Sequence, residues 1–135
     1  MATIRHEVTI AAAAATVWDA VRDVGALHSR LVPGFVIDTR MEDGAMPPVR
    51  VVRFASGMQL RETIVACDDA ERRLVWTIDD ATVVHHNGAL QVFAVGDASC
   101  RAVWTADVLP DDLVVPFGTA MSAGLAVMAE TLASR

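Results

Sequence analysis

The side chains of this chain that could do chemistry inside an apolar interior fall in two places. Arg53 and Glu62 flank Ser56-Gly57, which reads as a two-residue hairpin loop. With that loop Ala55 opposes Met58 and Arg53 opposes Leu60, so Val51, Arg53, Ala55, Met58, Leu60, Glu62 and Ile64 share one face. The apolar majority turns that face inward and makes Arg53 and Glu62 diagonal neighbours there. A lone buried charge is very costly, whereas a paired one is tolerable. The pair is therefore either a structural ion pair near the rim of the interior or a device that orients or ionises a polar ligand group.

The second place is His85-His86-Asn87. Pairing Val95 with Cys100 across the Gly96 turn puts His85, Asn87, Gln91 and Phe93 on the side of Trp104, with His86, Leu90 and Val92 opposite. His85 and Asn87 are then the inward polar candidates, and a slip of one residue would exchange His85 for His86. Neighbours in a strand point to opposite faces, so the two histidines do not share a metal, and His6 and His28 belong to other elements; no metal and no cofactor is expected. A single inward histidine suits general acid–base work. Glu62 or His85 could remove a proton next to a carbonyl while Arg53 stabilises the enolate. No nucleophile elbow, phosphate loop, dinucleotide fingerprint or metalloprotease helix is present, and tyrosine is absent.

The elements that would position these groups are legible in the periodicity. Residues 3–10 alternate, with Ile4, His6, Val8 and Ile10 on one face, as a half-buried strand does. Val17, Trp18, Val21 and Val24 then recur at helical spacing, and a short second helix spans Leu27 to Leu31 before Pro33-Gly34. Six strands follow, at about 35–41, 49–55, 58–67, 72–78, 84–95 and 99–109. From Leu113 to Ala129 no side chain is charged, and Phe117, Met121, Leu125, Met128 and Leu132 mark a helix that starts near Val115 or kinks at Pro116. Ala, Gly, Ser and Thr make up its other faces, so it is expected to be covered nearly all round. A twisted meander curls, and this helix is the one element large enough to fill the concave side.

Composition bounds the partners. The chain has 135 residues, 53% apolar and 21% charged, with a formal charge of −6 and no basic run. One domain over residues 1–135 is expected, with neither nucleic acid nor an anionic membrane as partner, as a monomer or homodimer. Cys67 and Cys100 read as free thiols of a reducing compartment. The run Ala11 to Ala15 does not read as a secretory leader, since Arg5, His6 and Glu7 precede it in alternation and Asp19, Arg22 and Asp23 follow closely. A soluble, cytoplasmic protein is expected.

The order of elements and its motifs resemble the START and birch-pollen-allergen-like helix-grip superfamily (SRPBCC), in the bacterial polyketide cyclase/dehydrase-like branch. The resemblance rests on Ala15, Thr16, Val17 and Trp18 with Val21 and Asp23, then Pro33, Gly34 and Phe35. It continues through Arg53, Gly57, Glu62 and Asp68, then Leu74, Val75 and Trp76, then Val103 and Trp104. Ala13 and Ala14 replace a proline that commonly opens the first helix, and Leu31 stands where an aromatic is frequent. The resemblance implies an α+β helix-grip fold: a seven-stranded curved antiparallel sheet around a long C-terminal helix, with two short helices after strand 1. It also implies a hydrophobic cavity between sheet and helix, without fixing an activity.

Such a cavity, on the order of a few hundred Å³, would be walled by Trp18, Met58, Leu60, Trp76, Phe93, Trp104, Met121 and Leu125. Arg53, Glu62, His85 and Asn87 would orient the occupant. Ala120, Gly124 and Val127 on the helix would leave it room. The expected function is binding of a small hydrophobic or aromatic molecule; the alternative is a cyclase, dehydratase or isomerase acting on a polyketide-like carbonyl compound.

Overall fold

The computed structural model describes residues 2–134. Its sheet runs β1 (Ala2–Ile10), β2 (Val36–Met41), β3 (Val49–Phe54), β4 (Gln59–Asp68), β5 (Arg73–Asp79), β6 (His85–Ala94) and β7 (Cys100–Leu109). The strands are ordered β1-β7-β6-β5-β4-β3-β2, every pair antiparallel. Helix α1 (Ala14–Arg22) and a single π-helical turn (Leu27–Leu31) follow β1, and α2 (Val114–Leu132) closes the chain. This is the helix-grip arrangement, with strand limits within about a residue of those the periodicity predicts.

The registers of two hairpins differ from the expectation, each by one residue. The Phe54 N–H donates to the Met58 carbonyl at 2.8 Å, leaving Ala55, Ser56 and Gly57 as the loop. Gly57 closes it with φ +94°, the left-handed residue that three-residue hairpin loops require. Val52 therefore faces Leu60 and Arg53 faces Gln59. At β6–β7 the Val95 N–H donates to the Ser99 carbonyl and Ala94 pairs with Cys100, so Gly96, Asp97 and Ala98 make the loop. Strand side chains alternate, so each slip carries a whole strand face to the other side.

Helix α2 starts at Val114 with Pro116 in its first turn, where a missing N–H is harmless because those donors have no intrahelical partner. Only one side of it is buried, through Met121, Gly124, Leu125 and Met128. Val115, Thr119, Ser122, Ala123 and Ala126 face outward, correcting the expectation of nearly complete cover. Alanine and hydroxyl side chains present little apolar area, so leaving them in water costs little. The helix is long and apolar enough to cross a membrane, and its inner side packs on the sheet with Leu125 and Met128 almost fully buried.

The interior divides along α2. A large cluster joins Ile10, Val17, Val21, Leu74, Trp76, Leu90 and Cys100 to Leu125 and Met128. A smaller one packs Ile4, Ala106, Val108 and Met121 with Phe117 at the start of the helix. Cys67 is exposed and Cys100 buried, both free.

Candidate functional site

Between the π-helical turn, the sheet and the C-terminal half of α2 lies a cavity of about 60 Å³, lined among others by Leu31, Phe35, Val52, Trp76, Trp104 and Met128. Arg50 and Glu62 also line it. The slip at the β3–β4 hairpin is the reason: on β3 the inward residues are Arg50, Val52 and Phe54, and Arg53 is exposed on the outer face. Arg50 takes the place expected of Arg53, directly opposite Glu62.

The pair is complete in itself. Arg50 Nε donates to Glu62 Oε1 at 2.8 Å, with 3% and 7% of the two side chains exposed. Arg50 Nη1 donates to the Val24 carbonyl at 3.3 Å, tying β3 to the chain just beyond α1. The guanidinium also lies 5.4 Å from the Trp76 ring centroid, a cation–π contact. Removing one member would strand the other in an apolar site, which typically costs about 3–5 kcal/mol.

The aromatic wall is tight. Trp76 and Trp104 lie 5.7 Å apart, tilted by 54°, and Phe35 meets Phe54 edge-on at 5.6 Å. The buried Trp104 Nε1–H has no hydrogen-bond acceptor among the described residues. A Cβ on Gly124 would come within 3.3 Å of Phe35 and 3.4 Å of Trp104. Gly124 thus admits two aromatic rings against the helix instead of leaving a hole, and Ala120 faces outward. A dry cavity that takes benzene has about 150 Å³, so this one holds water at most.

The slip at the β6–β7 hairpin exchanges the histidines. His86, Gly88, Leu90 and Val92 face inward, whereas His85 is exposed, Asn87 is half-buried on the outer side, and Phe93 stacks outside against Arg101 at 5.4 Å. His86 is 5% exposed, its Nδ1 has no hydrogen-bond partner among the described residues, and its ring meets Phe117 edge-on at 5.8 Å. A Cβ on Gly88 would fall 2.9 Å from His86 Cε1 and 3.3 Å from Trp76 Cε2. Only glycine therefore lets the two rings converge there. Burial, then the neighbouring His85, pushes the His86 pKa down to about 4, against weaker opposing effects from its own backbone and Asp107, so the ring is neutral at pH 7.

Of the other expected site residues, Glu62, Trp76 and Trp104 do line the cavity. Leu60 and Leu125 are buried in the interior, and Met121 belongs to the smaller cluster near Phe117. Met58 is exposed at the hairpin tip, because the three-residue loop carries it out of the inward series. Trp18 is buried, but its Nε1–H donates to Asp69 at 2.9 Å and fastens α1 to the β4–β5 turn. Arg22 donates to the same carboxylate at 2.8 Å, and these bonds hold Asp69 below the usual carboxylate range. Arg50 and Phe35 were not among the expected site residues; His86 was expected only as the outcome of a one-residue slip, and Gly124 only as a residue that leaves room.

A curved antiparallel sheet gripping a C-terminal helix, with an apolar interior carrying one buried ion pair, defines a helix-grip protein. The chain belongs to the family described as polyketide cyclase / dehydrase and lipid transport, whose pattern matches residues 1–134. No curated protein matches it. A solved protein from Thermobifida fusca is 32% identical, with a TM-score of 0.76, covering 96% of this chain and 92% of that one. The di-domain ARO/CYC protein BexL, from the BE-7585A biosynthetic pathway, matches at 16% identity and a TM-score of 0.80, over 97% of this chain and 46% of its own. Norcoclaurine synthase from Thalictrum flavum matches at 22% identity and 0.69, over 98% and 91%. The last two show likeness of fold alone.

Proposed function

We propose that this protein binds a small hydrophobic or aromatic molecule between the sheet and α2, with the Arg50–Glu62 pair at the ligand's polar end. The observation that carries this reading is a buried, ion-paired arginine on the wall of an otherwise apolar cavity. Trp76, Trp104, Phe35 and Phe54 would supply the apolar contact. The remaining guanidinium N–H groups and Trp104 Nε1–H would donate to an acceptor oxygen such as a carbonyl. A ligand larger than water needs the cavity to open. Leu27, Leu31, Val32, Phe35 and Val36 belong to one short segment, whose outward movement would enlarge it. The free thiols accord with a cytoplasmic setting.

Native mass spectrometry of freshly purified protein should show a co-purifying small molecule, and apolar carbonyl compounds should raise the melting temperature saturably. Absence of both would sink the reading.

A second reading is enzymatic: Glu62 takes a proton from the carbon next to a carbonyl, the C–H electron pair forms a carbon–carbon double bond as the carbonyl π pair moves onto oxygen, and Arg50 stabilises the enolate. The Glu62 carboxylate on the cavity wall favours it, whereas His86 lies against Phe117 and outside that wall. The occupied Glu62 Oε1 speaks for binding instead, since the carboxylate must leave Arg50 partly free to do chemistry. Turnover that Glu62→Gln abolishes while binding persists would favour the enzyme.

A further inference from the structure

The two edges of the sheet treat their charges differently. On β1 the outward residues Arg5 and Glu7 bond each other at 3.2 Å, and Glu7 also meets Arg101 at 3.2 Å. On β2 the outward residues Asp38 and Arg40 have the same spacing and opposite charges, and among the described residues neither has an ion-pair partner. Ile37, beside them, is 52% exposed, and Met41 is 37% exposed.

The backbone of β2 is open on the same side. The Glu42 N–H donates to the Val49 carbonyl, so Glu42, Arg40 and Asp38 turn their peptide groups toward β3. Thr39 and Met41 turn theirs to the free edge. Toward the start of the strand, Pro33 bridges Val36 and closes the edge. The register breaks between Val36 and Asp38, which places a bulge at Ile37, so the regular open stretch is 38–41, with outward peptide groups at Thr39 and Met41.

We propose that this edge pairs with the same edge of a second copy, antiparallel, about a twofold axis through Thr39. Thr39 then exchanges both backbone hydrogen bonds with the partner's Thr39, and the bulge at Ile37 confines the regular pairing to residues 38–40 of each copy. Asp38 faces the partner's Arg40 twice over, in the closer, non-hydrogen-bonded pairs where side chains approach best. Charges on an edge strand ordinarily block pairing. Here they alternate in sign about the centre, so they oppose slipped registers and match in one. The interface is isologous, as a twofold axis demands, and so short an augmentation belongs to the weak, transient class.

The test is sedimentation equilibrium from low micromolar to near-millimolar protein, on the wild type and three variants checked for folding by circular dichroism. Asp38→Arg alone and Arg40→Asp alone each turn two attractions into two repulsions. Each should raise the dimer dissociation constant by about tenfold or more. The double swap Asp38→Arg/Arg40→Asp restores the match and should dimerise like the wild type. An equimolar mixture of the two single variants should form a heterodimer that neither forms with itself. A wild type that stays monomeric, a dimer indifferent to the single swaps, or a mixture that fails to associate would each overturn the proposal.

Discussion

The two halves of the interior along α2 handle a buried polar group in opposite ways. Under the C-terminal half, Arg50 and Glu62 satisfy each other beside a small cavity. Under the N-terminal half, His86 is buried against Phe117 with Nδ1 unpartnered among the described residues. A satisfied charge pair is costly to break, and it keeps polar donors in an apolar room where a ligand could use them. An unpartnered neutral imidazole survives because deprotonation is cheap at pH 7, and it becomes a liability once acid charges it. The first arrangement suits recognition; the second ties stability to pH.

The largest effect is expected from separating the ion pair. Glu62→Ala should lose about 3–5 kcal/mol in urea denaturation, because Arg50 remains buried without its partner. The double variant Arg50→Met/Glu62→Leu should recover most of that loss. If the single variant is as stable as the wild type, the two halves do not differ in the way described.

Acid should act on the other half. The folded pKa of His86, about 4, lies below the unfolded value of 6.5. The unfolded chain therefore takes up the proton first, so the His86 contribution is intact above pH 6.5 and is lost as pH falls toward 4. The loss amounts to up to about 3 kcal/mol. His86→Leu should flatten this limb of the stability–pH curve and leave stability at pH 7 within about 1 kcal/mol of the wild type. An unchanged acid limb would show that His86 is not buried neutral.

Two glycines probe the same division by packing. Gly88→Ala should destabilise by about 1–3 kcal/mol, because the new methyl meets the His86 ring and Trp76 at distances that force a shift. Gly124→Ala should change stability by less than about 1 kcal/mol, its gain in helix propensity offsetting a tighter contact with Phe35 and Trp104. Thermal melts of the pair separate the two sites.

The fold was legible because it rests on periods of two and 3.6 that survive small errors. The site was not, because a strand face reverses with a single residue of register. Reading Ser56-Gly57 as a two-residue loop sent Arg53 inward; placing left-handed Gly57 at the end of a three-residue loop would have selected Arg50. In β6 the corrective signal was already present: Gly88, Leu90 and Val92 make a more apolar face than Asn87, Gln91 and Phe93. The assumed turn at Gly96 overrode it. The solvent-facing side of α2 misled for another reason, since a lack of charge does not require burial where the residues are small.

Whether Arg50, with Glu62, marks the polar end of a ligand site can be read from tryptophan fluorescence titrated with 2-acetylnaphthalene. The wild type should show saturable quenching, as Trp76 and Trp104 line the cavity. Arg50→Met/Glu62→Leu should weaken binding at least about tenfold through loss of a charged donor, while Arg53→Met on the outer face should not change it. Equal quenching in all three proteins, or none in the wild type, would contradict the account.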